Sequence, residues 1–175
     1  MRTIFWLSIA IIAYVYVGYP VLLAAWARLV RRLPRRVAID DVTSWPSISI
    51  VLAARDEAAR LPARLTNLLT IPYRGRREII VVSDGSTDDT AEVVRMFGGR
   101  VRLVEVPAGG KPLALNAGVA VATGEVLVFA DARQEFSTDA LQHLAANFAD
   151  PQVGGVTGEL VLDAYPGRPL RGEPR

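Results

Sequence analysis

Apolar positions along the chain follow two regimes. Residues 3–27, "TIFWLSIAIIAYVYVGYPVLLAAWA", carry no charge and are apolar on every face. From residue 48 onward, short apolar runs alternate with helically spaced ones. The runs "ISIVLAA" (48–54), "EIIVVSD" (78–84), "VRLVEV" (101–106), "EVLVFAD" (125–131) and "VGGVTGELVL" (153–162) predict five strands, the last weakened by its glycines. Leu61, Leu65, Leu68 and Leu69 predict a helix over 57–69. Further helices are expected at 88–97, capped by Ser86 or Thr87, at 112–122, and at 138–149, capped by Ser137. Continuous apolar strands that alternate with helices predict an α/β fold, a mostly parallel sheet covered on both faces.

The uncharged N-terminal run is long enough for a hydrocarbon core of about 30 Å at a helical rise of about 1.5 Å per residue. Trp6 and Trp26 stand near its ends, where amphipathic rings favour the membrane interface. Gly18 and Pro20 are tolerated in a membrane helix. Arg28, Arg31, Arg32, Arg35 and Arg36 follow, and by the positive-inside rule they keep the remainder in the cytoplasm. A cleaved signal peptide would have a shorter apolar region with its charge in front. The expected organisation is a transmembrane helix over 3–27 in the inner membrane and a basic juxtamembrane linker over 28–47. A cytoplasmic α/β domain over 48–163 and a disordered, proline- and arginine-rich tail over 164–175 complete it.

Composition narrows the chemistry. The 175 residues are 51% apolar with a net charge of +2, so no nucleic acid partner is expected. The absence of cysteine excludes disulfides, thiolate metal sites and cysteine nucleophiles. His143 is the single histidine and reads as a surface residue. Lys111 is the single lysine.

The polar residues gather where parallel sheets bind ligands, at the carboxyl ends of the strands. The first strand runs into "ARDE", the second into "SDGSTDD", the fourth into "DARQ". Asp84 reads as a ligand residue, whereas Asp88 and Asp89 suit the positive end of the next helix. The segment "PAGGKPLALNAG" (107–118) is no phosphate loop of the G-x-x-x-x-G-K-[ST] kind, because Pro112 replaces the hydroxyl residue and the first glycine is missing. Lys111 is then either an anion contact or a solvated turn lysine. Asn116 is either a packed amide or a ligand contact. Asp131 closes an apolar run as a metal-ligating carboxylate would, but the position two residues on is Arg133.

Taken in order, these motifs resemble the inverting family 2 glycosyltransferases, membrane-bound polysaccharide enzymes among them, whose nucleotide-sugar-binding α/β domain has the Rossmann-like GT-A fold. The resemblance covers about residues 48–163. "SIVLAARDEA" is similar to the family's first strand and its Pro-Ala-x-Asn-Glu end, and "VVSDGSTDDT" to its Asp-Asp-Gly-Ser-x-Asp turn. "GGKPLALNAGVAVATGEVLVFADA" is similar to the Gly-Lys-x-x-Ala-Leu-Asn segment that leads into the Asp-x-Asp strand.

The resemblance implies transfer of a sugar from a nucleotide-diphospho-sugar, UDP-linked, to a lipid or glycan acceptor at the cytoplasmic face of the membrane. It places Ala53, Arg55 and Glu57 around the nucleotide base, Asp84 on the uracil N–H, and Lys111 near the base or phosphates. Asp131 comes to the ribose and diphosphate as the one carboxylate for Mg²⁺ or Mn²⁺. Three departures stand out: Ala53 replaces the proline and Asp56 the asparagine of the first motif, and Arg133 replaces the second acid of Asp-x-Asp, which weakens the metal site. Arg133 either pairs its guanidinium with the diphosphate or points into solvent. In the family the acceptor half and its general base follow this region. That base is expected beyond Arg175, so the chain is read as a donor-binding half, a fragment or one that works with a partner chain. Two other readings stay open: a nucleotide-sugar-binding module without turnover, and an unrelated membrane-anchored α/β domain whose acids bind a divalent ion.

Overall fold

The computed structural model describes residues 1–30 and 39–161. The chain divides into two units, Met1–Arg35 and Arg36–Arg175. Within the first, α1 (Arg2–Ala13), a π-helical turn (Tyr14–Gly18) and α2 (Tyr19–Leu29) form one continuous 28-residue helix, long and apolar enough to cross a membrane. At about 1.5 Å per residue it exceeds the roughly 30 Å required. The π turn widens the helix where Tyr14 packs its ring on Gly18: a Cβ on that glycine would lie 3.1 Å from the ring. Of the basic cluster, Arg31, Arg32, Arg35 and Arg36 lie outside the described residues, as do the central part of the expected linker and the expected tail over 164–175.

The second unit is a parallel sheet in the order β3-β2-β1-β4, built from β1 (Ile48–Ala54), β2 (Arg77–Asp84), β3 (Arg102–Val106) and β4 (Val126–Ala130). Between them run α3 (Leu61–Thr70), α4 (Thr90–Arg95) and α5 (Lys111–Val121), and α6 (Ala140–Ala146) follows β4. Side chains alternate along the central strands. Ile48, Ile50, Leu52 and Ala54 of β1 face a core with Leu61, Leu65 and Leu68 of α3, Val94 of α4 and Leu141 of α6. Val51, Ile80 and Val82 face α5 through Ala114. That second layer is thin because Gly118 lets the helix approach closely: a Cβ there would stand 2.4 Å from Val51 Cγ1. The chain steps outward from β1 to β2 to β3, then returns across β1 to β4. Crossovers of the same hand running in opposite directions place their helices on opposite faces. The reversal leaves a crevice between the carboxyl ends of β1 and β4.

Four of the five expected strands form. Residues 153–161 do not: they make no ladder bonds and are mostly exposed. Gly154, Gly155 and Gly158 cost backbone entropy and offer nothing to pack. The expected caps differ too. Ser86 and Thr87 do not cap α4; the Asp88 carboxylate accepts from the Thr90 N–H at 3.0 Å and from its hydroxyl instead. Ser137 donates its hydroxyl to Asp139 at 2.9 Å rather than capping α6 with it. In both places a carboxylate is a stronger acceptor than the neighbouring hydroxyl.

Candidate functional site

Three loops meet at the carboxyl edge of the sheet, and polar bonds hold them together. After β1 the backbone turns through Asp56, the one described non-glycine residue with positive φ, at 53°. Its carboxylate accepts from the Thr87 N–H at 2.7 Å, and its own N–H donates to Ser86 Oγ at 3.2 Å. The Glu57 N–H donates to Thr90 Oγ1 at 2.9 Å. The first loop is thereby fastened to the "SDGSTDD" turn. Gly85 makes that turn possible: its φ is +59°, and a Cβ would collide with the backbone N of Ala108 at 2.6 Å.

Asp84, only 4% exposed, ends β2. Its carboxylate accepts from the Gly109 N–H at 2.7 Å and from the Gly110 N–H at 2.9 Å. It therefore fastens the loop that opens α5, and with it Lys111, to the sheet. Lys111 Nζ in turn reaches Asp131 Oδ2 at 3.0 Å. Asp131 sits one residue beyond β4, and its other oxygen accepts from the Arg133 N–H at 3.0 Å. The Arg133 N–H and the Lys111 ammonium hold the Asp131 carboxyl below its ordinary value.

Arg133 turns back toward β1. Its Nε donates to Glu57 Oε1 at 3.1 Å, while its side chain stays 72% exposed. Glu57 is buried and also takes Arg60 Nη1 on Oε2 at 2.8 Å. Arg60, then Arg133, lower its pKa against the cost of burial. A folded-state pKa lowered below an unfolded value of about 4.3 means the contribution is present above that pH and lost as pH falls through the folded value. We predict that the urea midpoint falls between about pH 5 and pH 3, and that Glu57→Gln flattens this acid limb. An acid limb of unchanged steepness in the variant would contradict the assignment.

The sequence-derived residues are thus brought together in part. Lys111, Asp131, Arg133 and Glu57 form one chain of contacts at the β1/β4 crevice. Ala53 is half-buried beside Val82 in the β1/β2 register, and Arg55 is exposed at the end of β1. Asp84 stands at the base of the Lys111 loop rather than open to the crevice. Asn116 is exposed and is no packed amide. His143 is a surface residue, paired with Asp139 at 3.1 Å.

Two residues absent from the sequence reading support the loop after β4. Asn67 exchanges hydrogen bonds with the backbone of Phe136, at 3.0 and 3.1 Å. Arg64, 3% exposed, donates Nη1 to Asn67 Oδ1 at 2.7 Å and lies 4.3 Å from the Phe136 ring centroid. Its Nε and Nη2 are buried and have no partner among the described residues. Burial brings its pKa down to about 10, an effect opposed by the charges of Asp131 and Glu135. The signal was available: Leu61, Arg64, Leu65 and Leu68 occupy i, i+3, i+4 and i+7, so a cation sits in an apolar stripe.

The residues present make a weak site for a divalent ion, with Asp131 as its one candidate carboxylate. Among the described residues no three carboxylates or histidines converge. Asp131 has both oxygens engaged, one of them by an ammonium. The position that would carry a second acid carries a guanidinium.

The glycosyl transferase family 2 model matches residues 49–171. The chain is 32% identical over 122 residues to a poly-β-1,6-N-acetyl-D-glucosamine synthase of Staphylococcus aureus, covering 67% of this chain and 29% of that protein. It is 29% identical over 130 residues to a β-monoglucosyldiacylglycerol synthase of Nostoc, covering 70% of this chain and 28% of that protein. Among solved structures, a mannosyltransferase from Pyrobaculum calidifontis in complex with GDP-Man and Mn²⁺ superposes with a TM-score of 0.63 at 31% identity. That match covers 83% of this chain and 44% of the other. The chain therefore spans less than a third of the length of these curated relatives.

Proposed function

The chain belongs to glycosyl transferase family 2, with the GT-A fold, and from that premise we propose that its β1/β4 crevice binds the nucleotide-diphospho-sugar donor for transfer to a lipid or polysaccharide acceptor. The observation that carries this reading is the contact chain Lys111–Asp131–Arg133–Glu57, which sets cations at the switch point of a parallel sheet. The mannosyltransferase neighbour holds a nucleoside diphosphate sugar, and the two synthases named above build a polymer and a glycolipid; both facts support the donor and acceptor classes.

In this reading Ala53 and Arg55 line the base pocket, and Glu57 lies beside it and anchors Arg133 toward the diphosphate. Asp84 keeps the Lys111 loop in place. Asp131 accepts from the ribose. Inverting transfer is one displacement at the anomeric carbon: the acceptor oxygen forms the new bond as the bond to the diphosphate breaks. Negative charge grows on the leaving diphosphate, so positive groups must already stand there. The acceptor hydroxyl's proton goes to a base that we assign to no described residue. Arg2–Leu29 anchors the chain, and the arginines after it keep the catalytic unit on the cytoplasmic side.

Titration of UDP-GlcNAc, UDP-glucose and GDP-mannose into the full chain in lipid nanodiscs tests the reading. At least one should bind with a Kd of about 1 mM or tighter, about −4 kcal/mol, and be displaced by its own nucleoside diphosphate. Failure of all three, and of UDP and GDP, would sink it. Release of nucleoside diphosphate on adding an acceptor separates transfer from binding alone.

A further inference from the structure

We infer that this chain neutralises the donor diphosphate with Lys111 and Arg133 in place of a divalent metal ion, so that donor binding is metal-independent. The inference rests on the donor site proposed above and concerns how that site carries charge. A divalent ion brings two positive charges to a diphosphate, held by one or two carboxylates. Here Lys111 and Arg133 set two positive groups beside the carboxylates of Asp131 and Glu57, and Arg60 offsets the charge of Glu57.

Both residues contact the same carboxylate. The Lys111 ammonium is 3.0 Å from Asp131 Oδ2, and the Arg133 N–H is 3.0 Å from Asp131 Oδ1, so one carboxylate sets both residues. A metal ion on Asp131 Oδ2 would compete with the lysine for that oxygen. Arg133 is anchored through Nε alone, by a buried Glu57 that Arg60 also grips. Its two terminal nitrogens make no hydrogen bond among the described residues, and its side chain is 72% exposed. Nε-anchored guanidinium leaves the terminal amino groups available for phosphate oxygens, with the fork geometry that suits them. Behind the same loop lies Arg64, a buried cation with two nitrogens that have no partner among the described residues. Its charge adds to the pull on an anion and opposes entry of a second cation. An Asp-x-Asp carboxylate at position 133 would reverse both effects: it would meet Glu57 as a like charge and draw in a metal.

The test is titration of UDP and of uridine into the full chain in nanodiscs, in EDTA and in excess MnCl₂. Wild-type affinity for UDP should agree within about threefold between the two buffers. Arg133→Ala should weaken UDP at least about tenfold in EDTA while leaving uridine unchanged. Arg133→Lys, which keeps the charge and loses the Nε anchor, should fall between. Arg133→Asp should lose UDP in EDTA and regain it with Mn²⁺. UDP binding that vanishes in EDTA and returns with Mn²⁺ in the wild type would overturn the inference and leave the donor site standing. So would an Arg133→Ala chain with unchanged affinity in EDTA. Absence of UDP and GDP binding in both buffers would overturn the donor site itself and the inference with it.

Discussion

Asp84→Ala should lower the stability of the α/β unit by about 3 kcal/mol and weaken nucleoside diphosphate binding about tenfold. The carboxylate is buried and accepts from two successive backbone N–H groups, of Gly109 and Gly110. Alanine strands those donors in a partly buried turn, at roughly 1–3 kcal/mol each for an unmade bond. Part of that loss is recovered as water enters. The loop they belong to presents Lys111, so the fold and the site fail together. Asp84→Asn retains an acceptor oxygen and should cost about half as much. Urea unfolding followed by fluorescence reads the first effect and UDP titration the second. Wild-type stability in Asp84→Ala would show that the loop is held by other means.

Arg64→Met should do the opposite to stability, raising it by about 1–3 kcal/mol, while lowering UDP affinity several-fold. The guanidinium occupies an apolar stripe of α3 with two nitrogens unsatisfied, which burdens the folded state. Methionine fills a similar volume without that burden and retains a favourable contact with the Phe136 ring. The gain is reduced by loss of the Asn67 bond and of the cation–ring contact at 4.3 Å. A destabilised Arg64→Met chain would mean those contacts outweigh the unpaired nitrogens, and unchanged affinity would remove Arg64 from the site's electrostatics.

The central strands were legible because they are buried on both faces: β1 is found over Ile48–Ala54, as its run of apolar residues predicts. The edge was less so. "VGGVTGELVL" has the apolar residues of a strand, but its glycines leave it unpaired, and periodicity does not register that cost. The candidate site residues were legible as residue types at strand ends. What those residues do to one another was not. Asp84 reads as a ligand because an acid at a strand end faces a crevice, and Glu57 through the resemblance; both are buried and bound to loop backbone or arginine. Sequence spacing cannot show that Glu57, 76 positions before Arg133, is its anchor. Arg64 and Asn67 are hard to see in the sequence because the leucines dominate the pattern of the helix that carries them.

The central claim is that the carboxyl edge of this sheet, at the β1/β4 crevice, receives the donor diphosphate. Hydrogen exchange of the full chain with and without saturating UDP locates the ligand directly. Slowed exchange is predicted at residues 108–113 and 131–136, with none at 122–126, where Glu78 binds Thr123 and Ser49 binds Gly124 at the opposite edge. Protection confined to that opposite edge, with 108–113 and 131–136 unchanged under saturating UDP, would contradict the account.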